Sequence, residues 1–270
     1  IAALNKEKYH CIPVYLTKNN VFTIGKDFDK VDTFKNNNIK RQEVSFTRRG
    51  LKTRFRTISI DAVICAVHGR SLEGGELAGF FEILGIPYTS CEVLGASIAQ
   101  DKTTIKKILA YDDLPTTLFV GFTSDEWKVG REEIIEKCNK LTYPLILKPA
   151  TLGSSIGIER IENQDDLIKT ILDVFRYDNG VLVEEVITNM REFNCAIIND
   201  DILSAIEEVV TSNSILTFSD KYEHSQSRRI IPAEIGDELS DEIRTLTKRV
   251  ARLINNKGVI RIDFIYDLDN

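Results

Sequence analysis

Apolar and polar residues alternate along nearly the whole chain with two different periods, one typical of strands and one typical of helices. Several short stretches have the length and composition of strands, among them residues 61–67, 143–148, 181–187 and 258–266. Residues 77–84 and 241–254 place apolar residues at helical spacing, and after the pattern changes at about residue 91 a further predicted helix carries Asp101, Lys102 and Leu109. This mixture predicts a protein that combines α/β and α+β architecture rather than one built from helices or strands alone.

Changes in this pattern divide the chain into three predicted modules, and no linker-like composition separates them. Residues 1–90 read as an amino-terminal α/β module, because the continuous apolar run at 61–67 is typical of a strand buried on both faces of a parallel sheet. Residues 91–183 form the predicted central module, and residues 184–270 form the carboxyl-terminal one.

Charge and composition exclude several classes of function. The chain has 270 residues, and its 35 basic and 41 acidic side chains give a net charge of −6. Without a dominant basic stripe, nucleic acid is not an expected partner. No apolar run approaches the ~18 to 20 residues that cross a bilayer. The five cysteines form no Cys-x-x-Cys pair, which favours reduced thiols, so we predict a soluble cytoplasmic protein without a membrane partner.

The first candidate site combines a lysine with a glycine-serine loop. Lys148 ends a predicted strand, and the loop Gly153–Gly157 follows it. Glycines allow backbone N–H groups to approach an anion closely, and a lysine supplies a compensating charge, so a polyphosphate would fit here. An ordinary hairpin turn beside a solvated lysine would give the same pattern.

Carboxylates at two predicted strands form the second and third candidate sites. Glu184 and Glu185 close a buried strand, where they offer acceptors for the exocyclic amine of a base or for a ribose hydroxyl. Arg261 and Asp263 stand two residues apart in one strand, so both side chains project from the same face. They predict an oxyanion donor and a Mg²⁺ ligand, or else a salt-bridged or solvated pair.

Two further groups are weak indicators when taken alone. His68 and Glu73 follow a predicted strand, and Lys221 and Tyr222 lie in the polar stretch 211–231. Such groups are more often structural or solvated than functional.

The order and spacing of these motifs resemble those of the D-alanine–D-alanine ligases of the ATP-grasp superfamily. The motifs are His68-Gly69 with Glu73, Ala99-Gln-Asp-Lys102, Lys148-Pro149 with Gly153-Ser154-Ser155-Ile-Gly157, Glu184-Glu185, Arg191-Glu192-Phe193, Lys221-Tyr222 with Pro232-Ala233, and Arg261-Ile-Asp263. The resemblance covers nearly the whole chain. It implies an ATP-grasp fold behind an amino-terminal, Rossmann-like domain with a parallel sheet.

The resemblance also implies which residues hold ATP. Lys102, Lys148 and Lys221 would contact the phosphates, with Lys221 at the γ-phosphate. Glu184 and Glu192 would bind the adenine and the ribose. The backbone would line the adenine at Glu185, Val186 and Ile187, and the loop with Ser154 and Ser155 would close over the triphosphate.

Substrate and metal residues follow from the same resemblance. Ser154 and Tyr222 would belong to the family's hydrogen-bonded substrate triad, and His68 and Glu73 would lie near the first D-alanine. Arg261 would stabilise the oxyanion, and Asp263 would bind one of two Mg²⁺ ions, with Mn²⁺ as an alternative.

The activity that the resemblance implies is ATP-dependent joining of two D-alanines for peptidoglycan precursors, through a D-alanyl phosphate. The stretch 211–231 would be a lid, and the protein would be a cytoplasmic homodimer. The family's amino-terminal glutamate and carboxyl-terminal Glu-x-Asn match nothing between residues 1 and 270. We therefore expect the chain to be a fragment of a longer protein, with little or no turnover by itself.

Three alternatives remain open at this point. The second substrate could be D-serine or, less readily because of Tyr222, D-lactate, as in the vancomycin-resistance ligases. The chain could also be a catalytically inactive ATP-binding protein, or it could join another carboxylate to another amine.

Overall fold

The structure of the protein, a computed structural model, describes residues 4–35, 39–67, 69–153, 156–210 and 228–269. Two units are distinguishable in it. The smaller consists of the residues up to Ile64 together with Phe80–Tyr88, and the larger consists of Cys65–Gly79 together with the residues from Thr89 onward. The module boundaries near residues 90 and 183 remain predictions.

Two small antiparallel sheets build the smaller unit. Their strands are β1 (Tyr15–Leu16), β2 (Phe22–Ile24) and β3 (Gln42–Glu43) in the first, and β4 (Ser45–Thr47), β5 (Gly50–Lys52) and β6 (Thr57–Ile58) in the second. A 3-10 helix at Val31–Lys35 precedes β3. After β6, helix α1 (Arg70–Glu73) belongs to the larger unit, and the unit boundary falls within helix α2 (Glu76–Leu84), whose residues from Phe80 belong to the smaller unit. The ring of Phe46 meets the ring of Phe81 edge-on, with 5.1 Å between centroids.

The apolar run at 61–67 does not form the buried parallel strand that its composition predicts. Val63 makes a single parallel bridge with Tyr88, and its amide donates to the carbonyl of Pro87 at 2.8 Å. Ile64 is 59% exposed. A strand buried in a parallel sheet needs a neighbour along its length and cover on both faces. Among the described residues this run pairs at one position only, so it remains largely uncovered.

A four-stranded antiparallel sheet organises the first part of the larger unit, with the strand order β7–β10–β8–β9. Its strands are β7 (Phe119–Thr123), β8 (Leu145–Pro149), β9 (Glu159–Ile161) and β10 (Gly180–Glu185). The helices of this part are α3 (Val93–Gln100), α4 (Lys102–Tyr111), α5 (Ser124–Cys138) and α6 (Gln164–Val174).

Helices α5 and α6 contribute to the hydrophobic core on one face of this sheet. In α6, Leu167, Ile171 and Val174 recur at helical spacing and are fully buried. They share one core with the inward-facing residues of the strands, among them Leu147 and Val181. Strand alternation sends every second side chain to this core, so the intervening residues point to the opposite face.

Helix α4 approaches that opposite face very closely. A Cβ atom on Gly121 of β7 would stand 2.3 Å from Cγ2 of Thr103. The helix begins at an Asp101 side chain that accepts from the amide of Thr104 at 2.8 Å. Glycine at position 121 therefore allows the helix and its polar side chains to lie directly on the sheet.

A second antiparallel sheet, in the order β12–β11–β13–β14 with β15 also paired to β11, forms the rest of the larger unit. Its strands are β11 (Met190–Ile198), β12 (Ile202–Leu203), β13 (Glu207–Val210), β14 (Arg228–Ile230) and β15 (Val259–Asp267). Helix α7 (Asp237–Leu253) packs Ile243 against Phe193 and Cys195 on the apolar face. The helix predicted at 241–254 and the strand predicted at 258–266 are thus confirmed, with shifted ends.

Within the described ranges, no helix combines the length and the apolar character needed to cross a bilayer.

We predict that Gly121→Ala lowers the free energy of unfolding by about 1–3 kcal/mol, because the added methyl overlaps Thr103 in a packed contact. A second change, Thr103→Ala, should restore most of the loss by removing the overlapping atoms. Urea unfolding followed by the fluorescence of Trp127, the one tryptophan of the chain, measures both effects. The control is Gly130→Ala, since a Cβ there meets nothing within 4 Å. Wild-type unfolding of Gly121→Ala would show that the helix does not depend on this contact.

Candidate functional site

Glu184, near the end of β10, is a buried carboxylate that polar side chains of neighbouring elements contact. Leu182 pairs with Lys148 of β8, and Glu184 pairs with Ile146, so Lys148 and Glu184 share a face at diagonal positions. Both side chains are long enough to meet across that diagonal. The Lys148 ammonium forms an ion pair with Oε1 of Glu184, and Glu184 is only 4% exposed.

Two residues that the sequence analysis did not single out complete the environment of Glu184. The Lys106 ammonium of α4 forms an ion pair with Oε2 of Glu184, and it also donates to Oγ1 of Thr117. The Thr117 hydroxyl donates to the same Oε2 at 2.8 Å. The available sequence signal was the spacing of Lys106, four residues beyond Lys102, which places both on one face of a helix.

These two lysines determine the ionisation state of Glu184. Burial alone would raise the pKa of this carboxyl group, but the ammonium groups of Lys148 and Lys106 outweigh burial and lower the pKa to about 2. The carboxylate is therefore charged throughout the physiological range, and one negative charge lies between two positive ones.

Lys102 is tied to the beginning of the glycine-serine loop. Its ammonium donates to the carbonyl of Leu152, and at 3.5 Å to that of Ala150. Burial, followed by the charge of Lys148, lowers the pKa of Lys102. Asp178 fixes the same segment from the other side, because it accepts from the amide and hydroxyl of Thr151 at 2.8 and 3.0 Å.

The polar face of the second sheet carries the predicted pair Arg261 and Asp263. Arg261 donates from Nε to Oδ1 of Asp263 at 2.8 Å and from Nη2 to Oδ2 at 3.1 Å. This contact confirms that the two side chains share a face. Asp263 holds the pKa of Arg261 above its usual range despite partial burial, with smaller contributions from Glu207 and Glu73.

Neighbouring strands add further polar groups to that face. Asn194 of β11 stands directly opposite both Asp263 and Glu207, and its Nδ2 donates to Oε2 of Glu207 at 3.0 Å. Glu207 also accepts from Nη1 of Arg229 at 3.1 Å. Glu192 lies on the same face, because it precedes Asn194 by two residues in one strand.

Helix α1 lies close to the loop that follows β8. A Cβ on Gly153 would stand 3.8 Å from Oε2 of Glu73. The charge of Glu73 also makes a small contribution to raising the pKa of Arg261.

The segment after β10 contains the remaining predicted nucleotide contacts. Glu185 ends the strand, and its Oε1 accepts from the amide of Thr142 at 2.8 Å. Val186 and Ile187 follow outside any strand and are half-buried. Their backbone is therefore not committed to the sheet at this point.

Comparisons with known proteins assign this arrangement to a family. The amino-terminal family description "D-ala D-ala ligase N-terminus" matches residues 1–91, and "D-ala D-ala ligase C-terminus" matches residues 108–270. The chain belongs to the D-alanine–D-alanine ligase family. This confirms the family that the sequence motifs resemble.

Similar sequences carry the same family name over most of their length. The D-alanine–D-alanine ligase of Caldicellulosiruptor bescii is 31% identical over 98% of this chain and 76% of its own length. That of Natranaerobius thermophilus is 33% identical over 97% of this chain and 74% of its own. The chain thus spans about three quarters of these two ligases.

Solved ligase structures share the fold and confirm its ATP-grasp architecture. The VanG D-Ala:D-Ser ligase of Enterococcus faecalis has a TM-score of 0.82 and 26% identity, covering 99% of this chain and 80% of its own. A D-alanine–D-alanine ligase of Bacillus anthracis complexed with ATP has a TM-score of 0.64 and 25% identity, covering 78% and 65%.

Several predicted ligase residues cannot be placed in the structure. The residues outside the described ranges are His68, Ser154, Ser155, Lys221 and Tyr222. Their roles remain predictions.

The described part of this ligase does not by itself form a metal cage. In those residues no three side chains among His, Cys, Asp and Glu come together as a metal-binding group. Both oxygens of Asp263 accept from Arg261. Since Mg²⁺ is often held by one or two carboxylates and by substrate phosphates, Asp263 fits the role of a single protein ligand to a nucleotide-bound ion.

We predict that the ligase loses stability in acid through Glu184. A depressed pKa contributes stability that is present above the ordinary value of 4.5 and lost as the pH falls towards about 2. The full loss, complete only below a pH of about 2, should be about 3 kcal/mol, because a pKa difference of one corresponds to about 1.4 kcal/mol. About 2 kcal/mol of it should be lost by pH 3. Urea midpoints between pH 7 and pH 3 should therefore fall less steeply in Glu184→Gln than in the wild type.

The matched control is Glu136→Gln, whose carboxylate lies in an exposed pair with Lys140 and is 71% exposed. Its midpoints should follow those of the wild type. Equal acid sensitivity of Glu184→Gln and the wild type would contradict the assigned ionisation of Glu184.

Proposed function

We propose that this chain acts as an ATP-dependent ligase that joins two D-alanines through a D-alanyl phosphate, in the synthesis of peptidoglycan precursors. The match of both parts of the chain to the D-alanine–D-alanine ligase family carries this proposal. The ATP complex of the Bacillus anthracis relative supports ATP as the nucleotide.

Lys102 and Lys148 bind the ATP phosphates in this proposal. Lys102 is attached to the start of the glycine-serine loop, and Lys148 lies on the adjoining sheet face with 22% of its side chain exposed. Two ammonium groups beside a glycine-containing loop suit a polyphosphate, because they offset its charge where backbone amides approach it.

The segment Glu185–Ile187 lies along the adenine, and Glu192 binds the ribose. Support comes from Val186 and Ile187, which are half-buried and follow the end of β10, so their backbone groups are not part of the sheet. Glu184 was expected to contact the base as well. Its two oxygens already take part in two ion pairs, with Lys106 and Lys148, and accept one hydrogen bond from Thr117. These contacts support a role for Glu184 in positioning the two lysines, in addition to the contact with the base.

The carboxylate of the first D-alanine must be activated, because a carboxylate is a poor electrophile. Transfer of the γ-phosphoryl group converts it to an acyl phosphate, which the amine of the second D-alanine attacks. Arg261 stabilises the oxyanion of the tetrahedral intermediate, from which phosphate leaves. His68, Glu73, Ser154, Tyr222 and Lys221 complete the substrate and γ-phosphate contacts.

A divalent cation accompanies the nucleotide in this proposal, with Asp263 as its protein ligand. When bound, Mg²⁺ or Mn²⁺ offsets the negative charge that builds up on the phosphates. We further propose a cytoplasmic homodimer as the working form.

D-Serine is the second candidate for the attacking amine. The structural similarity to the VanG D-Ala:D-Ser ligase, with a TM-score of 0.82, supports D-serine as a second candidate substrate.

The first prediction of this proposal concerns turnover by the full-length gene product. ADP release from Mg·ATP should require D-alanine and should be accompanied by D-alanyl-D-alanine, detected by mass spectrometry. Parallel reactions with D-alanine plus D-serine or D-lactate identify the second substrate by product mass. ATP binding without any stimulation by D-amino acids would favour an inactive protein or a different substrate.

The second prediction concerns the phosphate contact of Lys148. Lys148→Ala should weaken ATP binding more than tenfold, or about 1.4 kcal/mol, because a charged contact to phosphate is lost. Isothermal titration calorimetry without D-alanine measures this affinity. Lys140→Ala removes an exposed lysine and should bind ATP as the wild type does. Unchanged affinity in Lys148→Ala would exclude Lys148 from the phosphate site.

A further inference from the structure

The ammonium group of Lys106 is surrounded by protein groups, and Lys106 is not one of the two lysines assigned to the ATP phosphates, which are Lys102 and Lys148. Its side chain is 16% exposed, and it lies over the Phe119 ring with 5.3 Å from the ammonium to the centroid. Its other partners are Thr117 and Oε2 of Glu184. The aromatic ring, the hydroxyl and the carboxylate account for its surroundings without a ligand.

Glu184 distributes its two oxygens between two lysines. Oε2 accepts from Lys106 and Thr117, whereas Oε1 pairs with Lys148. The carboxylate is thus fixed on one side by α4 and by Thr117, which lies two residues before β7, and it presents its other side to Lys148. The position of the Lys148 ammonium depends on that orientation.

Charge balance gives Lys106 a second effect. Glu184, Lys106 and Lys148 together carry one net positive charge. Without Lys106, the remaining pair would be neutral, and of the two ion pairs that Glu184 makes with described residues only the one with Lys148 would be left. A buried carboxylate that has lost one of its two paired cations would hold the remaining ammonium more tightly.

We infer that Lys106 is a positioning residue for nucleotide binding, which holds Glu184 so that Lys148 remains available to phosphate. This inference rests on the proposed function, since it takes Lys148 as a phosphate contact. Lys106 acts through Glu184 and Thr117 and does not touch ATP.

The test compares ATP with adenosine, which lacks the phosphates. Lys106→Met should weaken ATP binding about tenfold, equivalent to about 1.4 kcal/mol, and should change adenosine binding less than about twofold. Lys106→Arg, which keeps the charge, should recover most of the ATP affinity. Calorimetry gives the ATP constants and equilibrium dialysis gives the adenosine constants, both without D-alanine.

Two comparisons separate positioning from a general effect. Lys107→Met removes the same charge from the next, exposed residue of α4 and should match the wild type. In a Lys148→Ala background, Lys106→Met should cost little more ATP affinity than Lys107→Met does, because no ammonium is left to position.

Each other outcome has a defined meaning. Equal ATP affinity in Lys106→Met and Lys107→Met overturns the inference, and so does an equal loss of ATP and adenosine binding. If Lys106→Met does not fold, Thr117→Val should still weaken ATP about two- to threefold and leave adenosine unchanged, and wild-type ATP affinity in that variant overturns the inference. A wild-type protein that binds no ATP overturns the proposed function as well.

Discussion

A carboxylate that is almost fully removed from water keeps its charge only when cations reach it, and this constraint shapes the first sheet of the larger unit. Glu184 is the buried group, and it obtains its cations from two different elements, β8 and α4. The strand register delivers Lys148, and the close approach of α4 at Gly121 delivers Lys106. The ion pairs therefore depend on correct packing of the helix on the sheet.

The sequence predicted the groups whose placement depends on local rules. Lys148 and Glu184 were identified because they end buried strands, and Arg261 and Asp263 because side chains two residues apart in a strand share a face. Such rules hold wherever the segment lies in the molecule. The family resemblance added roles for these residues and was confirmed by the comparisons.

The sequence did not predict features that depend on the meeting of separate elements. Thr117 reaches Glu184 across 67 residues, and no short motif records that contact. The apolar run at 61–67 has the composition of a buried strand, but composition does not supply the neighbours that a strand needs. The roles of Ser154 and Tyr222 rest on family likeness, and they stay predictions because both residues lie outside the described ranges.

The pair formed by Arg261 and Asp263 has a consequence for how ions enter the polar face. Both side chains are more than half exposed, and exposed pairs are worth about 0–1 kcal/mol, so the pair orders two charged groups at low cost and opens easily. An anion alone would leave Asp263 without its partner, and a cation alone would leave Arg261 without one. An anion and a cation arriving together replace the internal pair with two external ones, so each charged side chain keeps a partner of opposite sign.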